Sequence, residues 1–272
     1  MTATPLLTGK SLVIIGGTTG IGLSAAQAFI AQGARVVVVG RSTESAAKAG
    51  AALGEQALVI PGDATAPDTA LSAIHACEEH FGGFHGLYHV AGGSGRKFGD
   101  GPLHEMTLEG WNKTLEWNLT SLMLSNQAAI QHWLQAGRSG TLLNLGSVLG
   151  YSPSPRYFTT HAYAAAKAAV IGFSRSVAAA YAGNNIRVNV LAPALVDTPM
   201  ANRAVKDEAI HDFIQTKQPL DGGRVGVPSD LDGLAIYFMS EQSRFTTGQV
   251  IAVDGGWSLS DGQYDRPAGN GH

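Results

Sequence analysis

A glycine-rich run directly after the first apolar stretch constrains the fold more than any other feature of the chain. Ser11–Ile15 has the pattern of a short buried strand, and it leads straight into residues 16–22, which include four glycines. A helical pattern begins within this run and continues over residues 21–32. Glycines let the backbone turn sharply and approach a ligand, while a helix N-terminus offers free N–H groups and partial positive charge. This order predicts a dinucleotide-binding βαβ unit.

Short β-branched runs alternate with longer helical patterns along the rest of the chain. Strands separated by helices predict an α/β fold, here a single doubly wound Rossmann domain over residues 1–272, with a seven-stranded parallel sheet and helices on both faces. Within it we expect a substrate lid at about residues 196–226 and a loosely ordered polar tail at 261–272. The predicted strands are residues 11–15, 35–39, 57–60, 86–90, 141–145, 186–191 and 249–253, and the predicted helices are residues 21–32, 68–81, 107–136 and 162–182.

The composition excludes several classes of function. With 44% hydrophobic and 14% charged residues and a net charge of −3, the 272-residue chain offers no basic surface for nucleic acid or an anionic membrane. Its one cysteine, Cys77, excludes an intrachain disulfide framework. No signal peptide or membrane span is visible, so we expect a soluble, cytoplasmic protein. No metal-ligand spacing and no Gly-x-Ser-x-Gly nucleophile motif is present.

Tyr163 and Lys167 stand four residues apart with only alanines between them. On a helix this spacing places a phenol and an ammonium on one face. We expect the lysine charge to lower the pKa of Tyr163, so that the phenol can exchange a proton with an alcohol near neutral pH. Any long helix can carry such a pair, so the prediction depends on the rest of the chain.

The second predicted strand ends in Gly40, followed by Arg41. Where NAD is bound, an acidic residue at this strand end commonly accepts hydrogen bonds from the adenosine ribose. Gly40 has no carboxylate, and Arg41 could pair with a 2′-phosphate. The sequence therefore favours NADP (NADPH), with NAD as the alternative.

Together these features resemble the short-chain dehydrogenase/reductase family, in the single-domain subgroup that includes 3-oxoacyl carrier-protein reductases. The resemblance covers about residues 7–257. The motifs that match are the glycine loop, Asp63-Ala64 after the third strand, Ala91-Gly92 after the fourth, Asn118 on a helix, Ser147 after the fifth strand, Tyr163 with Lys167, residues 189–193 after the sixth strand, Thr198 beyond it, and Asp254-Gly255-Gly256.

The resemblance implies a catalytic set and a cofactor site. Ser147 would hydrogen bond to the substrate oxygen, Tyr163 would act as acid or base, and Lys167 would hold the nicotinamide ribose. Asn118 would support a water chain that replaces the proton. The implied cofactor-binding residues are Gly16, Thr18, Thr19, Gly20, Ile21, Gly22, Arg41, Asp63, Ala64, Ala91, Gly92, Tyr163, Lys167, Pro193, Val196 and Thr198. The family also implies a homotetramer or homodimer.

Three positions depart from the family pattern. Ile15 stands where threonine is frequent, His89-Val90 replaces the usual Asn-Asn, and Ala194 follows Pro193 where glycine is common. The segment between Ser147 and Tyr163 is also a few residues longer than usual. None of these departures removes a member of the catalytic set.

The predicted function is an NAD(P)-dependent oxidoreductase that interconverts a carbonyl and a secondary alcohol on a small molecule. A non-catalytic dinucleotide-binding sensor or scaffold is the alternative, and a dehydratase, isomerase or epimerase on the same fold is a third possibility. The substrate stays open. Candidate pocket walls are residues 93–104, 149–161 and 196–226. Arg96, Lys97, Arg156, His161 and Arg203 could face an acidic or polyhydroxylated substrate, whereas Tyr151, Tyr157 and Phe158 could equally line an apolar pocket.

Overall fold

Seven strands form one continuous sheet in the computed structural model, which describes residues 5–263. The strands are β1 (Ser11–Ile15), β2 (Arg35–Gly40), β3 (Ala57–Pro61), β4 (Gly86–His89), β5 (Gly140–Leu145), β6 (Ile186–Pro193) and β7 (Val250–Val253). Their order across the sheet is β3-β2-β1-β4-β5-β6-β7, and every neighbouring pair is parallel. The predicted doubly wound Rossmann sheet is confirmed.

Helices bury both faces of this sheet. Leu12 and Ile14 of β1 pack into the core on one face, and Val13 and Ile15 pack into the core on the other. Because both sets of alternating side chains are buried, the strands are apolar throughout, as is usual for parallel sheets. The helices are α1 (Gly20–Ala31), α2 (Thr43–Leu53), α3 (Thr69–Phe81), α4 (Leu108–Leu115), α5 (Ser121–Ala136), α6 (His161–Tyr181), α7 (Asn202–Val205), α8 (Glu208–Lys217) and α9 (Asp232–Met239).

The structure corrects the predicted helices in two ways. The long helical region predicted over residues 107–136 is interrupted by a π-helical turn, Glu116–Thr120, between α4 and α5. Helices α2, α7, α8 and α9 were missed; they have 11, 4, 10 and 8 residues, respectively. Of the tail predicted at 261–272, the part from residue 264 onward lies outside the described residues.

The sheet reverses its winding direction at β1. The chain runs outward from β1 through β2 to β3, and then returns to β4 on the other side of β1. The loops that follow β1 and β4 therefore leave the carboxyl edge of the sheet in opposite directions and open a crevice between them, the usual ligand position in such folds. Within residues 5–263, no helix is long and apolar enough to cross a membrane.

Candidate active site

The glycine loop after β1 forms one wall of a groove at this crevice. Gly16 has a φ of +89°, and a Cβ atom at this position would lie 2.5 Å from the backbone nitrogen of Ala91 in the loop after β4. Only glycine allows both the backbone conformation and this close approach. The two loops at the reversal point are thus packed directly against each other.

Backbone hydrogen bonds hold the glycine loop despite the isoleucine at position 15. The amides of Gly16 and Gly17 both donate to the carbonyl oxygen of Val39 at 2.9 Å. The amides of Val90 and Ala91 donate to the carbonyl oxygen of Ile15 at 2.8 Å. The loop therefore does not need a threonine hydroxyl at this position.

The N-terminus of α1 lies beside the glycine loop and offers free backbone amides to an anionic ligand. Thr19 is the N-cap residue, but it makes no side-chain capping bond, and the first turn contains no acidic residue. Helix amides without a capping group, at the positive end of a helix dipole and beside a glycine turn, suit a pyrophosphate. The residues present therefore fit a dinucleotide.

Most of the predicted cofactor residues line this one groove. They are Gly16, Thr18, Thr19, Gly20, Ile21, Arg41, Asp63, Ala64, Ala91, Gly92 and Thr198. Gly22 is buried behind the loop. Pro193, Val196 and Tyr163 line an adjoining cavity, and Lys167 is buried beneath it. The Asp63 carboxylate accepts two hydrogen bonds from Thr65, through its amide and its hydroxyl, each at 2.9 Å.

Arg41 lies over an aromatic ring that sequence reasoning missed. Its guanidinium carbon is 5.5 Å from the ring centroid of Trp117, and the Trp117 ring packs edge-on against Phe98 at 5.4 Å. Trp117 lines both the groove and the adjoining cavity. Stacking of this kind limits the orientations of a guanidinium. Trp117 immediately precedes Asn118, which was the available signal for its position.

Tyr163 and Ser147 meet in the adjoining cavity, which has a volume of about 660 Å³. Cavities of this size are typical of small-molecule sites. Ser147 follows β5 and accepts a hydrogen bond from the amide of Leu149 at 3.2 Å, so its hydroxyl hydrogen is available for a second partner. The next turn is pressed against α6, because a Cβ atom on Gly150 would lie 2.8 Å from the Ala168 nitrogen. This contact fixes Ser147 relative to Tyr163.

The expected effect of Lys167 on Tyr163 is wrong for this structure. Burial raises the pKa of Tyr163 to about 12, and a hydrogen bond with Ser147 acts in the opposite direction. Burial also lowers the pKa of Lys167 to about 8. The Lys167 ammonium is 5.6 Å from the Tyr163 ring centroid and donates to the carbonyl oxygen of Leu145 at 2.8 Å. Desolvation of the phenol therefore sets the direction of the shift in the Tyr163 pKa.

Asn118 lies in the π-helical turn, and its side chain connects that turn to the loop after β4. Its amide nitrogen donates to the carbonyl oxygens of Gly93 at 2.7 Å and Thr114 at 2.8 Å, and its side-chain oxygen accepts from the Gly93 amide at 3.2 Å. Both amide hydrogens are therefore used by protein carbonyls. The side chain holds the wall of the cavity in place.

Asp100 is a buried carboxylate that sequence reasoning missed. One carboxylate oxygen accepts from the Ala162 amide at 3.0 Å, and the other accepts from the Tyr163 amide at 3.1 Å. These are amides of the first turn of α6, where the N-cap residue Thr160 makes no capping bond. Asp100 therefore caps the helix that carries Tyr163 from a distant loop.

The departure at His89 is accommodated by two serines. The ring nitrogens of His89 lie 2.8 Å from the hydroxyl oxygen of Ser125 and 3.3 Å from that of Ser121. Burial lowers the pKa of His89 to about 3, and the Lys167 charge acts in the same direction. The imidazole is therefore neutral at physiological pH.

Only some of the candidate substrate residues line the cavity. Arg96, Lys97, Arg203 and Phe158 do. Arg156 instead lies over the ring of Tyr157 at 5.2 Å, and both line a separate cleft. His161 and Tyr151 do not line the cavity in the described part of the chain.

Comparison with known proteins identifies the family of the chain. The family model described as enoyl-(acyl carrier protein) reductase matches residues 16–258. The chain is 33% identical to 3-oxoacyl-[acyl-carrier-protein] reductase FabG of Chlamydia trachomatis serovar D, over 92% of this chain and 98% of that protein. It is 32% identical to the cis-4-hydroxycyclohexanecarboxylate dehydrogenase of Sinomonas cyclohexanicum, over 90% of this chain and 95% of that protein.

A solved structure agrees as well. The crystal structure of levodione reductase superposes with a TM-score of 0.82 at 26% identity, covering 93% of this chain and 98% of that one. These relatives are alcohol or carbonyl oxidoreductases of one family. The chain belongs to the short-chain dehydrogenase/reductase family.

Proposed function

We propose that the chain is an oxidoreductase that interconverts a carbonyl and a secondary alcohol on a small molecule, with Tyr163 as the acid or base. The observation that carries the proposal is that Tyr163 and Ser147 share a cavity that adjoins the glycine-loop groove, with Lys167 buried beside them. A nicotinamide bound there supplies or accepts the hydride. The test is a panel of ketones and alcohols, followed by the absorbance of the reduced nicotinamide in the wild type and in Tyr163→Phe.

The proposed roles follow from the protonation states. A phenol with a pKa of about 12 keeps its proton at neutral pH, so Tyr163 is ready to donate it to a carbonyl oxygen. Ser147 donates a hydrogen bond to the same oxygen. Lys167 provides positive charge that stabilises the phenolate left behind, and Asn118 keeps Gly93 in position at the cavity wall.

We propose that NADP is preferred over NAD. Arg41 lines the groove, is stacked on Trp117, and forms no ion pair with a carboxylate among residues 5–263. A guanidinium that is not paired with a carboxylate can form charge-assisted hydrogen bonds with a 2′-phosphate.

We propose that residues 196–226 act as a lid within a single domain. A parallel bridge between Val196 and Gly226 joins the two ends of the segment, and the Asp197 amide donates to the Gly226 carbonyl oxygen at 2.8 Å. Between these ends lie α7 and α8, and Arg203 and Ala204 of α7 line the cavity. A segment joined at its base and facing the site can move as a unit.

A buried lysine argues against a sensor or scaffold. Lys167 is only 2% exposed, and burial of an ammonium costs several kcal/mol unless other groups compensate. A protein that only binds a dinucleotide could use this lysine to hold the nicotinamide ribose, but it gains nothing from having Ser147 and a protonated Tyr163 beside it. Binding of NADPH without its oxidation by any carbonyl in a broad panel would favour the sensor.

We also propose a homotetramer or homodimer in a reducing compartment such as the cytoplasm. The alanine-rich α6 suits close helix packing, and the buried Cys77 is a free thiol. A monomer mass by light scattering would contradict the assembly.

A further inference from the structure

The cavity that holds Tyr163 is apolar in its body and positively charged at its walls. Leu149, Phe158 and Trp257 provide apolar surface. Every side chain with a formal charge that lines it, among residues 5–263, is a cation: Arg41, Arg96, Lys97 and Arg203. This concentration contrasts with the whole chain, which carries a net charge of −3.

Two of these cations line the cavity from different walls. Arg96 lies on the loop after β4, and Arg203 lies on α7 in the segment proposed as a lid. Burial lowers the pKa of Arg96, and the charge of Arg203 lowers it further. Like charges held near one another destabilise the folded state unless an anion lies between them.

No carboxylate of the described chain, residues 5–263, forms an ion pair with Arg96 or Arg203. The acidic group whose charge reaches Arg96 is Asp100, but both of its oxygens already accept amide hydrogens at the start of α6. The two guanidiniums are therefore available to a ligand.

We propose that the substrate is a small, largely apolar ketone or alcohol that carries a carboxylate, and that Arg96 and Arg203 bind this carboxylate. The proposal rests on the proposed function and adds the class of substrate to it. The reacting oxygen then faces Ser147 and Tyr163, while the apolar body packs against Leu149 or Phe158. Guanidinium groups suit this task because they bind carboxylates through paired hydrogen bonds.

The test compares cyclic and linear ketones, each supplied as the free acid and as its methyl ester, with NADPH. We expect at least one acid to have a kcat/KM roughly 10-fold or more above that of its ester, the effect of one charged hydrogen bond. In Arg96→Gln and in Arg203→Gln the acid-to-ester ratio should fall by roughly the same factor, mainly through KM. Lys206→Gln is the matched control, because Lys206 is an exposed cation of the same segment that does not line the cavity, and its ratio should stay unchanged.

The outcomes separate the two proposals. If esters are reduced as well as their acids, or if the ratio is the same in Arg203→Gln and wild type, the carboxylate inference is wrong and the oxidoreductase proposal stands. If no ketone is reduced, the proposed function fails. Calorimetry of the acids with the NADPH-loaded protein then decides the inference, which requires binding in the wild type and its loss in Arg203→Gln.

Discussion

The carboxylate of Asp100 accepts a hydrogen bond from the backbone amide of Tyr163 at 3.1 Å, and from the neighbouring Ala162 amide at 3.0 Å. Asp100 is only 3% exposed. A buried loop residue thus fixes the start of the helix that carries the proposed acid. It also lies 3.4 Å from the hydroxyl of Thr114 on α4, so the same carboxylate joins three parts of the site.

Asp100→Ala should lower both stability and turnover. Two buried amides lose their acceptor, which costs about 2 kcal/mol of unfolding free energy, and a displaced Tyr163 lowers kcat roughly 10-fold or more. Urea unfolding and steady-state kinetics measure the two effects. The stability and kcat of Asp100→Asn should lie between those of Asp100→Ala and wild type. Asp68→Ala is the matched control, because Asp68 precedes α3 without a capping bond and should change stability by less than about 0.5 kcal/mol. Equal stability of the two alanine variants would contradict the assigned role.

Tyr163→Phe should reduce turnover at least ~10²-fold, the usual scale for loss of an acid or base, while NADPH binding survives. Stopped-flow absorbance and fluorescence titration measure the two properties. Tyr157→Phe is the control, because Tyr157 lines a separate cleft and should leave turnover near normal. Comparable turnover in the wild type and Tyr163→Phe would remove Tyr163 from the mechanism.

Arg41→Ala should weaken NADPH binding roughly 10-fold or more, with a smaller effect on NADH, because charged hydrogen bonds to the 2′-phosphate are lost. Dissociation constants from fluorescence titration test this. Arg35→Ala is the matched control, because Arg35 is at the opposite end of β2, lies over Phe81 at 5.5 Å and does not line the groove. An unchanged ratio of NADPH to NADH affinity in Arg41→Ala would refute the NADP preference.

His89→Asn should change the dependence of stability on pH. The folded pKa of His89 is about 3, below the unfolded value of 6.5, so the unfolded chain binds more protons between these values. His89 therefore destabilises the fold as pH falls below 6.5, by about 2 kcal/mol between pH 7 and pH 5. Urea unfolding at both pH values should show this loss in the wild type and a loss smaller by about that amount in His89→Asn. If the unfolding free energies of the two proteins fell by the same amount between pH 7 and pH 5, His89 would not be the cause of the loss.

The sequence alone was sufficient to predict the features that depend on local patterns. Short β-branched runs located all seven strands to within about two residues, and the glycine loop located the crevice, because each pattern depends only on the residues of its own segment. Ser147 and Tyr163 line the same cavity, an arrangement that the family resemblance implied and that local patterns alone do not encode.

Contacts between distant segments could not be predicted in this way. Asp100 caps α6 by accepting a hydrogen bond from Ala162, which lies 62 residues later in the chain, and no local pattern predicts that bond. The ring under Arg41 is equally remote, because Trp117 reaches the groove only through the π-helical turn. The pKa of Tyr163 was predicted in the wrong direction because spacing reveals the nearby lysine but not the burial of the phenol.

The uncapped start of α1 also couples ligand binding to the stability of the fold. A ligand that occupies those amides binds the folded chain and not the unfolded one, so it stabilises the fold in proportion to the logarithm of its free concentration. At 100 times its dissociation constant the gain is about 2.7 kcal/mol, a large share of a typical unfolding free energy. A cell with a depleted dinucleotide pool would therefore hold less of this protein, through faster proteolysis of the unfolded fraction, before any change in its synthesis.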